Sequence, residues 1–161
     1  MEGTVALMVE NLYYQKIMLY NDLLHCLNEE RASLIRIDLD KLWQVSREKE
    51  EICERIRTAR QEIIVAAFPE ENHKAFDFNR FMAQIDRESK NKFQNLNLKL
   101  IKLKSEVEIA RKENMTYIND SLLFLDEMIS IITGADQSKI IYNDKCHYRK
   151  SRPDFYLSRE V

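Results

Sequence analysis

Two histidine–cysteine neighbours, His25–Cys26 and Cys146–His147, have the side chains best suited to chemistry in this chain. They could serve as zinc ligands or as a nucleophile beside its base. Their spacing argues against both uses. Adjacent residues on a helix point in diverging directions, and no second pair joins His25 and Cys26 one turn away. The remaining cysteine, Cys53, completes no CxxC pair, and an odd count leaves one thiol over after any disulfide. The expectation is three reduced thiols packed as small apolar residues, with no metal site. A phosphate-cradling loop has no material, because the two glycines stand at positions 3 and 134. Carboxylates abound but are scattered along polar helix faces, as solvated charge is. The sequence therefore predicts no catalytic residues, no cofactor and no enzyme.

The elements that carry these residues follow from what the chain lacks. With two glycines and two prolines among 161 residues, and 32% of them charged, it has few turns and much helix. Its length suits one domain with a modest core. A formal net charge of −2 creates no field that recruits nucleic acid or anionic lipid. No apolar run reaches the length of a membrane span, and the N-terminus lacks the basic region of a secretory signal. A cytoplasmic protein without membrane insertion is expected.

Apolar periodicity predicts three long helices. In the first, Tyr13, Ile17, Tyr20, Leu24, Leu27 and Leu34 recur in steps of three and four, with Arg31 in the polar slot. Leu12, Leu19 and Leu23 widen that stripe. The second runs Leu42, Val45, Lys49, Ile52, Ile56, Ala59, Ile63, Ala66 and should stop near Phe68, ahead of Pro69. Lys49 interrupts its stripe, so its stem is expected to pack while its ammonium reaches solvent or an acid on a neighbouring helix. From Glu70 to Arg87 a linker with Phe76, Phe78, Phe81 and Met82 should include a short helical turn. The third helix, from about Glu88 to Thr133, keeps heptad spacing from Phe93 through Leu96, Leu100, Leu103, Val107, Ala110, Asn114, Tyr117, Ser121, Phe124 and Met128 to Ile131. It would be roughly 65–70 Å long. Asn114 and Ser121 break that stripe; Asn114 either fixes register inside the bundle or faces water. Lys99, Lys102 and Lys104 read as a solvated face. Between the first two helices, Ile37-Asp38-Leu39-Asp40 makes a tight connection in which Asp38 or Asp40 caps the second. The predicted fold is all-α: an antiparallel, coiled-coil-like bundle of three long helices with a short helical linker over 1–134, and a flexible tail over 135–161.

Glu30, Leu34, Asp38, Leu39, Leu42, Lys49 and Ile52 form a pattern that resembles the N-terminal hairpin of FlgN-like flagellar export chaperones. The similarity continues through Asn114 and Asn119, ahead of SLLFLDEMISII, and into the tail at Ile141-Tyr142. The resemblance implies a bacterial cytosolic chaperone without ATPase activity. It would hold the C-terminal segments of the hook–filament junction proteins FlgK and FlgL and deliver them to the export gate or its ATPase complex. It further implies that Tyr142, flanked by Ile140 and Ile141, docks the chaperone on the gate.

The residues themselves bear on this reading. Leu122, Leu123, Phe124, Leu125, Met128, Ile129, Ile131 and Ile132 put apolar side chains on nearly every face of the third helix, more than a two-partner seam covers. Either they pack as core against the first helix and the linker phenylalanines, or they bind a foreign amphipathic helix. In the second case Tyr117, Leu122, Phe124, Leu125, Met128, Ile129 and Ile132 form the substrate-protein site. A competing reading is a structural coiled coil that covers this surface with a second copy, as a homodimer or scaffold. The tail combines Pro153 and mixed charge with Tyr148, Phe155, Tyr156 and Leu157, a composition suited to folding on a partner. Its His147–Arg152 cluster could hold single-stranded RNA, but it is short and the chain is net acidic, so no nucleic-acid partner is expected.

Overall fold

Among the described residues, the scarcity of breakers is answered by four helices: α1 (Glu2–Arg36), α2 (Leu39–Ala67), α3 (Phe78–Gln84) and α4 (Arg87–Thr133). The structure, a computed structural model, describes residues 2–69 and 75–133, and among these there is no strand. Nearly every boundary has a local cause. At the end of α1, the Ile37 N–H donates to the Leu34 carbonyl at 3.2 Å and the Asp38 N–H to the Ser33 carbonyl at 3.0 Å. This pair of bonds is the Schellman termination, and it needs a left-handed residue, which here is Ile37 at φ 57°. Glycine is the usual choice there; a β-branched side chain costs roughly 1–2 kcal/mol. Asp38 closes α1 and opens α2 at once, because its Oδ1 accepts from the Lys41 N–H at 3.0 Å. Of the two expected caps, Asp38 is the one used; Asp40 lies in the first turn, on the positive end of the dipole.

α2 ends as expected at Phe68, whose N–H reaches the Ile64 carbonyl at 2.9 Å before Pro69. Two further aspartates, which pattern reading passed over, set the next helices. Asp77 accepts from the Arg80 N–H at 3.0 Å, starting α3, the linker's helical turn. Asp86 accepts from the Glu88 and Ser89 N–H groups at 2.9 and 3.0 Å, starting α4. Hydrogen bonds from Ser89, side chain and backbone, hold the Asp86 carboxyl below its ordinary range.

Contacts divide the chain into two units after Ser121. In the first, α2 runs antiparallel to α1: the chain reverses at Ile37–Asp38, Lys49 pairs with Glu30 near that turn, and farther from it Ile63 shares a core cluster with Ile17. α4 runs parallel to α1: Phe93 meets Tyr13, Lys104 meets Tyr20, and Asn114 meets Leu27. One core cluster gathers Val9, Tyr13 and Ile17 with Ile63, Phe81, Phe93 and Leu100. Its aromatic rings pack edge to face, Tyr13–Phe93 at 5.7 Å and Phe81–Phe93 at 5.0 Å. Burial pushes the Tyr13 hydroxyl pKa up to about 12. The linker residue Phe76 joins the same cluster against Tyr13, Phe68 and Phe81. A second cluster joins Leu19, Leu23, Cys26 and Leu27 to Val45, Ile52, Ala59 and Val107.

The α1 stripe differs in detail from the expected one. It follows Val9, Tyr13 and Ile17, then passes to Leu19, Leu23, Cys26, Leu27, Glu30 and Ser33, leaving Tyr20, Leu24 and Leu34 half-buried. A helix of 3.6 residues per turn drifts against a seam of 3.5, so over 35 residues the buried face moves around the cylinder. Glu30 therefore takes the polar slot expected for Arg31. The second unit begins at Leu122, and its described part is the last stretch of α4. The expected tail, 135–161, lies outside the described residues.

Candidate protein-binding interface

Glu30 is 9% exposed, and its carboxylate is partnered on both oxygens. Oε1 forms an ion pair with Lys49 of α2, and Oε2 accepts from Asn114 Nδ2 of α4 at 2.9 Å. The same amide donates to the Leu27 carbonyl at 2.8 Å. A buried carboxylate is tolerable only with such partners. Three helices are thereby pinned at one level, flanked by Glu29–Lys41 and Arg31–Glu113, each at 3.2 Å. Lys49 behaves as its position in the stripe suggests: the stem packs and the ammonium meets an acid on a neighbouring helix. Asn114, 3% exposed, faces inward rather than water. The hairpin residues that carry the resemblance acquire physical roles. Glu30 and Lys49 form the lock, Asp38 the cap, and Ile52 part of the second cluster, while Leu39 is exposed.

Tyr117 and Ser121, the last stripe residues of the first unit, are half-buried, and the Ser121 hydroxyl donates to the Tyr117 carbonyl at 2.8 Å. In the second unit the heptad stripe keeps its apolar residues but not its burial. Phe124 is 61% exposed, Met128 42% and Ile131 77%. Leu122, Leu123, Phe124 and Leu125 are successive positions, so their exposed side chains surround the helix. Ile129 and Ile132 are exposed too. Of the residues assigned from sequence, Leu122, Phe124, Leu125, Met128, Ile129 and Ile132 share this short stretch. Leu123 and Ile131 belong with them by exposure, although the sequence reading did not assign them. Transferring each half-exposed side chain onto a partner would contribute about 1 kcal/mol. Ile140, Ile141 and Tyr142 lie outside the described residues, as do Cys146 and His147.

Reactive groups do not converge. His25 is exposed beside Glu29 at 3.7 Å, whereas Cys26 is buried in the second cluster. Burial first, then the carboxylates of Glu48, Glu29 and Asp22, push the Cys26 thiol up, away from the thiolate a nucleophile needs. Among the described residues no group of His, Cys, Asp and Glu could hold a metal ion. Nor is any helix there long and apolar enough to cross a membrane.

A helical hairpin braced by a third helix, whose apolar stripe continues as exposed side chains, defines an all-helical scaffold with an uncovered apolar surface. The model of the FlgN protein family matches residues 8–150, spanning the polar lock and the exposed stretch alike. The chain belongs to the FlgN family, a family of flagellar export chaperones whose members bind flagellar hook-associated proteins. No curated protein and no solved structure matches the chain.

Proposed function

We propose that the chain is a cytoplasmic chaperone that holds the C-terminal segments of FlgK and FlgL and delivers them to the flagellar export gate. The observation that supports this reading is the exposed apolar end of α4, Leu122 to Ile132. An amphipathic helix of a client protein would cover what the heptad stripe leaves bare. Leu122, Phe124, Leu125, Met128, Ile129 and Ile132 supply the contact, Tyr117 extends it, and methionine lends adaptability. In this reading α1, α2 and α4 act as an antiparallel, coiled-coil-like bundle of three long helices. The tail, 135–161, is a separate element that docks on the gate or its ATPase complex through Ile140, Ile141 and Tyr142.

Isothermal titration with a C-terminal FlgK or FlgL segment tests the site. Leu125→Asp and Met128→Asp should each weaken binding by roughly tenfold or more, because a carboxylate must be desolvated in the contact. Helical circular dichroism should be unchanged. Loss of helix along with binding would return these residues to the core. A stable dimer of the wild type, dissolved by the same substitutions, would favour self-association instead.

A further inference from the structure

A second feature of the first unit is independent of the client reading. Lys16 of α1, Arg60 of α2 and Lys104 of α4 each stand next in sequence to a buried residue, Ile17, Ala59 and Leu103. Ile17, Leu103 and Ile63, the last of these one turn beyond Arg60, mark the same end of the first core cluster, so three cations from three helices fall at about one level. Lys104 Nζ lies 5.8 Å from the centroid of the Tyr20 ring, and Tyr20 is one turn beyond Lys16 on the same face. None of the three cations is ion-paired to a carboxylate among the described residues. Elsewhere on α4, Lys92, Lys102, Arg111 and Lys112 all have acidic partners within a turn. Lys16 is half-buried and feels Lys104 and Arg60 as like charges, with no compensating carboxylate; Lys104 likewise feels Arg60. In a chain with more acidic than basic residues, such a cluster is costly unless something neutralises it.

We propose that Lys16, Arg60 and Lys104, beside the Tyr20 ring, form a binding site for a compact oxyanion of the phosphate type carrying two or more charges. The occupant follows from charge and shape. One carboxylate would leave most of the cluster unbalanced, and an extended acidic peptide would need cations at several levels along the helices rather than at one. The arginine offers a planar fork and the lysines offer point charges, a combination suited to phosphate oxygens. Lys104 and Arg60 are exposed, so the site is open to solvent.

The test is thermal unfolding and isothermal titration of the full chain with sodium pyrophosphate against sodium chloride at equal ionic strength. Pyrophosphate should raise the melting temperature where chloride does not. Lys16→Met and Lys104→Met should each weaken its binding roughly tenfold. Both variants relieve like-charge repulsion, so they should keep the fold. Lys99→Met, outside the cluster, should bind as wild type. ATP binding well above pyrophosphate would identify the phosphate of a nucleotide as the source; equal binding would identify free phosphate. Equal shifts from pyrophosphate and chloride, or retention of the shift in the Lys16→Met/Lys104→Met double variant, would overturn the site. Tighter binding of a tetraglutamate peptide than of pyrophosphate would overturn it too, in favour of an acidic protein surface.

Discussion

Replacing Lys49 by Met removes one partner of a buried ion pair and leaves the other in place. Glu30 stays nine-tenths buried, with only the Asn114 amide to satisfy its charge. Breaking a buried pair from one side costs about 3–5 kcal/mol. Here the Lys49 and Glu30 side chains retain 24% and 12% exposure, which lets water screen part of that penalty. Methionine also returns some apolar burial along the path of the lysine stem. The expected loss is therefore about 2–3 kcal/mol, or a melting temperature lower by roughly 5–10 °C. In the double variant Glu30→Met/Lys49→Met no charge is stranded, and Asn114 keeps its bond to the Leu27 carbonyl. That variant should return to within about 1 kcal/mol of wild type, giving a coupling energy of ~2 kcal/mol in the cycle. Urea denaturation of the four proteins at constant slope provides the measurement. A Lys49→Met loss below about 1 kcal/mol, with no coupling, would mean that both charges are already solvated and the lock does not hold the helices.

Ile37→Gly should stabilise the protein by about 0.5–1 kcal/mol in the same denaturation assay, since relief of the left-handed strain outweighs glycine's entropy cost. At 79% exposed, the isoleucine has little packing to lose, so a net loss of stability would refute the strain argument. Phe93→Ala empties a fully buried site in the aromatic cluster and should cost about 3–5 kcal/mol; a loss under ~1 kcal/mol would refute the packing described for α4. Lys16 gives a pH test. Burial first, then Lys104 and Arg60, bring its pKa from 10.5 to about 8. The unfolded chain therefore holds this proton more tightly, and the penalty is fully present below pH 8 and relieved as pH rises from there towards 10.5. Discounted for partial solvent screening, Lys16→Met should gain about 1–2 kcal/mol at pH 7 and lose that advantage near pH 10.5. A gain that does not change with pH would show that packing, not charge, is responsible.

The elements were legible in the sequence because their causes are local. The heptad from Phe93 to Tyr117, the stop before Pro69 and the cap at Asp38 each depend on a few neighbouring residues. Asp77 and Asp86 carried the same capping signal but were lost among other acids in a linker read for its phenylalanines. The inward turn of Glu30 was less accessible. It depends on accumulated drift between a straight helix and its seam, which no single window contains. That Ile37 would take a glycine's conformation could not be read either, because the geometry of the turn, not the residue's preference, imposes it. At the candidate interface the surplus of apolar residues after Ser121 was plain in sequence. Exposure was not, because it depends on which surfaces the rest of the fold covers. Lys104 shows the same limit: it reads as part of a solvated face, yet its ammonium lies by the Tyr20 ring and feels Arg60 as a like charge.

The central claim is that the client protein sits on the apolar end of α4. Amide hydrogen exchange, followed with and without a C-terminal segment of FlgK or FlgL, tests this most directly. Protection should rise across residues 122–133 when the segment is added, while the amides of the Glu30–Lys49–Asn114 level, which helix and core already protect, should stay as they were. Saturating binding that leaves 122–133 unprotected, with new protection confined to α1 and α2, would contradict the account.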